Sequence, residues 1–263
     1  MTQCMKIPKL TLATLITILG SASAMAADPA TIAAQDKARG TAYDDVFKMA
    51  DFESHPDSYL GNDATSPGST VASEFPGLRN LHGVISGVLY RSGSSGHSHA
   101  GFQGKMGLIS ASGIQRLCEA GFSNVIYDYP DPAVSATVSC QYKGAAQTLT
   151  YRSLDPVSPA ARVTALKTIY SVIMNPAQGP VLTHCWNGDH ASGEASAFAL
   201  TQFCSKNFPA AGNNKAARSY WDKYAGELGQ SQPKSAGSRV GVYTVSSAMA
   251  VPSAIQEAIC PQP

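Results

Sequence analysis

Cys185 lies in the run Thr183-His184-Cys185-Trp186-Asn187-Gly188-Asp189-His190-Ala191-Ser192-Gly193. The apolar segment Pro180-Val181-Leu182 precedes this run, and a stretch of small helix-compatible residues, 193–200, follows it. The pattern reads as strand, tight loop and helix, with a cysteine at the mouth of the loop. Backbone N–H groups in such a loop converge on one point, and a helix N-terminus adds partial positive charge there. Both features stabilise a thiolate, which makes Cys185 the expected nucleophile. The same donors would cradle a phosphate or another oxyanion through Trp186, Asn187, Gly188, Asp189, His190, Ala191 and Ser192. The competing reading of Cys185 is a buried structural thiol or a disulfide partner.

A nucleophile of this kind needs a proton donor for the leaving oxygen. Asp155, in Leu154-Asp155-Pro156, follows an expected strand and precedes an expected helix; Asp128 and Asp131, in Tyr127-Asp128-Tyr129-Pro130-Asp131-Pro132, are the alternatives. An Asp before Pro is also a common turn former or helix cap. Trp186 serves equally as a substrate wall or as core. His97 and His99 form a His-x-His pair that could bind a metal, but they fall in a Gly/Ser-rich loop, where solvated histidines are commoner. No metal and no cofactor is expected.

These residues need a frame, and the alternation of strand and helix patterns supplies one. Strand character runs over residues 84–91, which read as a strand or a short hairpin, and over 124–128, 148–153 and 181–183. A helix starting at Ser110 or Ser112 ends before Gly121, and Ser158 opens another with apolar Leu166, Ile169 and Ile173 at helical spacing. Further helices are expected over 193–206, 216–228 and 252–259, the last with Pro252 at its start. Residues 27–72 read as an N-terminal extension with a possible helix over 32–47, residues 73–210 as the α/β domain, and 211–263 as a helical C-terminal extension on the same domain. The expected fold class is α/β, with a central, mostly parallel sheet flanked by helices. Open sheets of this class bind ligands at the carboxyl ends of their strands, which is where the Cys185 loop falls.

The chain has 263 residues. Its first 26 read as a secretory leader, with Lys6 and Lys9 ahead of the apolar Leu10–Leu19 stretch and Ala24-Met25-Ala26 as the cleavage site. That stretch is too short to span a bilayer, and no later segment is apolar enough to do so. A periplasmic or secreted location follows. With 19 basic and 18 acidic residues, two of the basic ones in the leader, the charge balance gives no electrostatic case for nucleic acid. Cys118, Cys140, Cys185, Cys204 and Cys260 remain beyond the leader, an odd set in an oxidising compartment. Two disulfides with Cys185 left free is the economical arrangement. Three connectivities then remain, of which Cys118–Cys140 with Cys204–Cys260 is favoured.

The Cys185 run resembles the signature loop of cysteine-dependent protein tyrosine and dual-specificity phosphatases: His-Cys, two residues, Gly, two residues, Arg, Ser or Thr, often Gly. His184, Cys185, Gly188, Ser192 and Gly193 fall in register, and Ala191 occupies the Arg position. Leu89-Tyr90-Arg91-Ser92-Gly93 and Gly121-Phe122-Ser123-Asn124-Val125-Ile126-Tyr127-Asp128 resemble the front half of atypical dual-specificity phosphatases, so the similarity covers residues 75–206. The resemblance implies a dual-specificity-phosphatase-like fold and attack of Cys185 on phosphorus. It further implies that Ser192 assists the sulfur, His184 orders the loop and Asp155 is the acid. The substrate would be a phosphorylated small molecule, lipid or protein. Ala191 cannot supply the bidentate fork of the family's Arg. A protonated His190 is one substitute, favouring acidic pH, although it equally suits a place on the loop rim. Arg91, Arg152 and Arg218 are candidates for a relocated clamp. The departure leaves two further readings: an anion- or partner-binding pseudophosphatase, or sulfur-transfer or redox chemistry at Cys185.

Overall fold

A computed structural model describes residues 27–44, 78–94, 107–186, 188, 190–209, 216–218 and 239–261. The leader, the rest of the N-terminal extension, His97, His99, Asn187, Asp189 and most of the expected helix over 216–228 lie outside the described residues.

The strands are β1 Leu78–Ile85, β2 Leu89–Ser94, β3 Asn124–Tyr127, β4 Ser135–Tyr142, β5 Ala145–Ser153 and β6 Val181–His184. They form one sheet in the order β1-β2-β6-β3-β5-β4. The inner strands β2, β6, β3 and β5 are parallel, and both edge strands are antiparallel to their neighbours. The sheet is therefore mixed, not mostly parallel as the strand-helix alternation implied. The reason is local. Each edge strand joins its neighbour through a turn too short for a crossover, and a tight turn permits only antiparallel pairing. Gly87 turns β1 into β2 at φ +66°, and Lys143 and Gly144 turn β4 into β5 at φ 50° and 80°. Two successive residues of positive φ make a turn whose twist matches the strands it joins.

The helices are α1 Pro29–Asp44, α2 Ala111–Glu119, α3 Pro159–Met174, α4 His190–Phe203 and α5 Ser253–Ile259, with a 3₁₀ turn at Ser247–Met249. Ser110 caps α2 by accepting the Gly113 N–H at 3.1 Å. Ser158 accepts the Ala161 N–H at the head of α3, where Pro159 contributes a fixed φ.

The sheet separates two cores. On one face Leu89, Ile126 and Val181 meet Leu166 and Ile173 of α3, Phe198 and Phe203 of α4, and Ile255 and Ile259 of α5. On the other, Tyr90, Val125, Leu149 and Leu182 meet Ile114 and Leu117 of α2 together with Phe122. Strand periodicity sends alternate residues to each core, so β6 gives Leu182 to one and Val181 to the other. Cys118–Cys140 ties α2 to β4, Cys204–Cys260 ties the end of α4 to the end of α5, and Cys185 is the free cysteine among the described residues. The favoured pairing is thus the observed one. No described helix is long and apolar enough to cross a membrane.

Candidate functional site

The β6 strand is buried along its whole length between parallel neighbours, and its carboxyl end fixes the position of Cys185. The Cys185 N–H donates to the Ser92 carbonyl at 3.2 Å, the Ser94 N–H to the Trp186 carbonyl at 3.0 Å, and the Asp128 N–H to the His184 carbonyl at 2.9 Å. The mouth of the loop is thereby tied to both adjacent strands. Gly188 has φ +78°, a conformation that favours glycine and lets the chain reverse toward α4. In that arrangement the Gly188 N–H donates to Cys185 Sγ at 3.2 Å, and Ser192 Oγ lies 3.3 Å from the same sulfur. Cys185 is 1% exposed, on the floor of the loop.

The helix α4 starts at His190, earlier than the expected start near Gly193, so His190, Ala191 and Ser192 belong to its first turn. The positive end of the helix dipole therefore faces the sulfur directly.

Behind the loop, His184 is fully buried and shares a 2.8 Å hydrogen bond between Nε2 and the Tyr151 hydroxyl. Desolvation drives its pKa down to about 3, so the ring stays neutral. Its ring stacks on Tyr127 at 5.0 Å, and Tyr129 meets Trp186 at 5.0 Å. Trp186 Nε1 donates to the Tyr127 hydroxyl at 2.9 Å. Burial, with the nearby Cys185 and Asp128 contributing, pushes the Tyr127 phenol up to about 12 and the Tyr129 phenol upward. Trp186 therefore belongs to an aromatic wall, half-buried against the second core, beside Cys185.

Three carboxyl groups gather on the opposite side. Asp128 is 1% exposed and accepts the Thr183 hydroxyl at 2.5 Å. Burial holds its pKa well above the usual carboxylate range, and Glu194 and Asp155 push it the same way. Asp155 is half-buried at the carboxyl end of β5 and accepts the Val157 N–H at 2.9 Å, turning the chain into α3. Glu194 of α4 is buried and forms two 2.7 Å hydrogen bonds with Nε and Nη2 of Arg239. Asp131 instead fastens its own turn, accepting the Ala133 N–H at 3.0 Å.

Cys185, Trp186, Gly188, Ser192 and His184 thus come together at one strand end, with His190 and Ala191 on the adjoining turn. Asn187 and Asp189 lie outside the described residues. Of the candidate clamps, Arg91 is buried in β2 beside Thr183. Arg152, the penultimate residue of β5, hydrogen-bonds Thr168 of α3 and lines a polar cleft with Ser123, Asn124 and Gly179. Arg218 lies in the short described turn 216–218. Among the described residues no group of three metal-ligating side chains forms.

Sequence reasoning missed Tyr127 and Tyr129 as wall residues, and missed Glu194 and Arg239 altogether. The first two carried a usable signal: Tyr127 ends β3, and strand carboxyl ends line the sites of open sheets. The Glu194–Arg239 pair joins residues 45 positions apart, and nothing local marks it. Fold and site together define an α/β protein with a buried, amide-lined cysteine at a strand-loop-helix junction. Comparison of the chain with protein-family models and with curated proteins found no match.

Proposed function

We propose that this chain is an exported, cysteine-dependent phosphatase-like enzyme with a dual-specificity-phosphatase-like fold. It hydrolyses a phosphate ester of a small molecule, lipid or protein through a phosphocysteine. The observation that carries the reading is the Cys185 sulfur, which receives the Gly188 N–H and lies 3.3 Å from Ser192 Oγ at the head of α4. Sγ attacks phosphorus, forming the S–P bond as the ester P–O bond breaks. Asp155 gives its proton to the leaving oxygen; it is the acid with an open side, whereas Asp128 is buried on Thr183. Water then attacks phosphorus, giving its proton to the Asp155 carboxylate as the S–P bond breaks, and releases phosphate and the Cys185 thiolate. Trp186 and Tyr129 offer an apolar flank to the leaving group. The two disulfides fit an oxidising compartment, which supports removal of a leader after Ala26.

Ala191 favours a second reading, an anion-binding protein without turnover, because losing a charge clamp costs on the order of a thousandfold in rate. The test is hydrolysis of an aryl phosphate from mildly acidic to mildly alkaline pH, beside Cys185→Ser. Turnover that disappears in Cys185→Ser, with phosphate still bound, is the expected result. Phosphate binding without turnover selects the second reading. A reactive thiol that neither binds phosphate nor hydrolyses the ester points instead to sulfur transfer or thiol redox chemistry.

A further inference from the structure

We propose that Arg239, delivered by the C-terminal segment, supplies the cation that Ala191 withholds and grips an oxyanion held in the Cys185 loop. The inference rests on the phosphatase reading and names a residue for the missing role.

The geometry starts on α4. Ala191 and Glu194 are i, i+3 neighbours on one helix face, with Cβ atoms about 5–6 Å apart in such pairs. Helical side chains lean toward the N-terminus and cover the turn before their own Cα. The Glu194 carboxylate therefore lies over the turn that begins at Ala191, on the loop side of the helix. Two 2.7 Å bonds seat Arg239 on that carboxylate. A guanidinium has five N–H donors in a planar fork. Nε and one Nη2 hydrogen go to Glu194, which leaves the Nη1 edge facing away from it. The Arg239 side chain is 30% exposed against 4% for Glu194, so the pair is open on the arginine side only. Asp155, the proposed acid, lies within electrostatic reach of Arg239.

The segment that carries Arg239 is held firmly. Gln202 of α4 donates to the Ser246 and Met249 carbonyls at 3.0 and 3.2 Å, and accepts the Tyr243 hydroxyl at 2.7 Å and the Ser246 N–H at 2.8 Å. Tyr243 packs edge-on to Phe198 at 5.2 Å, and Cys260 is bonded to Cys204 just beyond α4. A residue needed only to cover α4 would not require an arginine fork aimed at its first turns.

The test measures inorganic phosphate binding by calorimetry and aryl phosphate turnover on the disulfide-bonded chain. The variants are Arg239→Gln, Arg239→Lys, Glu194→Gln/Arg239→Gln and Ala191→Arg/Arg239→Gln. Arg239→Gln is expected to lower turnover by on the order of a hundredfold or more and to weaken phosphate binding. Arg239→Lys keeps the charge without the fork and recovers only part of the loss. Ala191→Arg is expected to restore activity to the Arg239→Gln protein. The Glu194→Gln/Arg239→Gln protein separates support from clamping: it removes both charges of the pair, so a merely structural arginine would become dispensable and activity would return, whereas a clamp leaves activity low. Turnover and phosphate binding unchanged in Arg239→Gln overturn the inference while the phosphatase reading stands. Arg239-dependent phosphate binding in a chain without turnover keeps the clamp and removes the hydrolase. A chain that binds no phosphate removes both.

Discussion

Two arginine–carboxylate pairs lie on opposite ends of the helical layer, and they use the same chemistry differently. Asp36 and Arg39, both on α1, meet at 2.6 Å with side-chain exposures of 0% and 7%. Arg39 also donates inward to the carbonyls of Val172, Pro176 and Gln178, fastening α1 to the end of α3. Both of its terminal nitrogens are committed to the fold, and burial lowers its pKa. Glu194 and Arg239 join distant parts of the chain, grip in two bonds, and leave the arginine open on one side. Bonding to Glu194 raises the Arg239 pKa. One arginine is enclosed by carbonyls that need it, and the other is presented on a carboxylate that orients it. Exposure and the direction of the remaining donors, not the presence of a salt bridge, separate an enclosed arginine from one left open on one side.

Breaking the enclosed pair should have the largest effect on stability. Arg39→Ala leaves Asp36 buried without a partner and three carbonyls without a donor. A loss of about 3–5 kcal/mol is expected, measured by urea unfolding, with turnover per folded molecule unchanged. An equal loss in Arg239→Gln would erase the contrast between the pairs.

The disulfides sharpen the same comparison. Cys204→Ser/Cys260→Ser opens a loop of sequence separation 56 and frees the segment that carries Arg239. A loss of about 2–4 kcal/mol is expected, together with weakened phosphate binding. Cys118→Ser/Cys140→Ser opens a separation of 22 on the other side of the sheet. It is expected to cost less stability and to leave phosphate binding intact, as thermal unfolding and calorimetry would reveal.

A smaller effect is a pH slope. Burial raises the Asp36 pKa from 3.8 to about 7, with Arg39 opposing the shift. The folded state then holds this proton more tightly than the unfolded chain. The contribution of this group is complete below about 3.8 and is lost as pH rises toward about 7. Asp36→Asn, which cannot ionise, should remove that component of the slope in urea midpoints taken across the interval. An unchanged slope would mean that Asp36 is ionised throughout.

The smallest signal concerns His184, whose pKa is about 3 because its ring is desolvated. Its imidazole resonances in NMR should stay at neutral positions down to mildly acidic pH. A transition near 6.5 would show that water reaches the ring behind the loop.

The place of Cys185 was legible because its signal is local: a strand, a Gly and a helix head lie within one short run, and the odd cysteine count singled it out as the free one. That count left three disulfide connectivities, and the favoured one is the pairing observed. The helix caps Ser110 and Ser158 were legible for the same reason, since capping is decided within one turn. The β1–β2 hairpin was legible in part, as one of two readings of residues 84–91, but the β4–β5 hairpin was not. The β4 strand alternates between exposed and half-buried residues and carries little apolar signal, and the turn at Lys143 and Gly144 changes the sheet from parallel to mixed. Arg239 was out of reach because its role depends on where the C-terminal segment packs, which Gln202, Tyr243 and Cys204–Cys260 decide jointly.

The placement of the cysteines also bears on how an exported chain of this kind would mature. Threaded amino end first, it presents Cys118 and Cys140 together, then Cys185, then Cys204, and only near its end Cys260. Bridging neighbours in order of appearance would join Cys185 to Cys204 and leave Cys260 alone. What guards against this is that β6 and most of α4 precede Cys204 in the chain. Once the Gly188 N–H and the Ser192 hydroxyl have drawn the Cys185 sulfur into the loop floor, it is shielded from thiol–disulfide exchange, which needs an accessible thiolate. Cys204 can then wait for the last cysteine to arrive. In the folded chain, the burial around Cys185 also keeps it out of both disulfides.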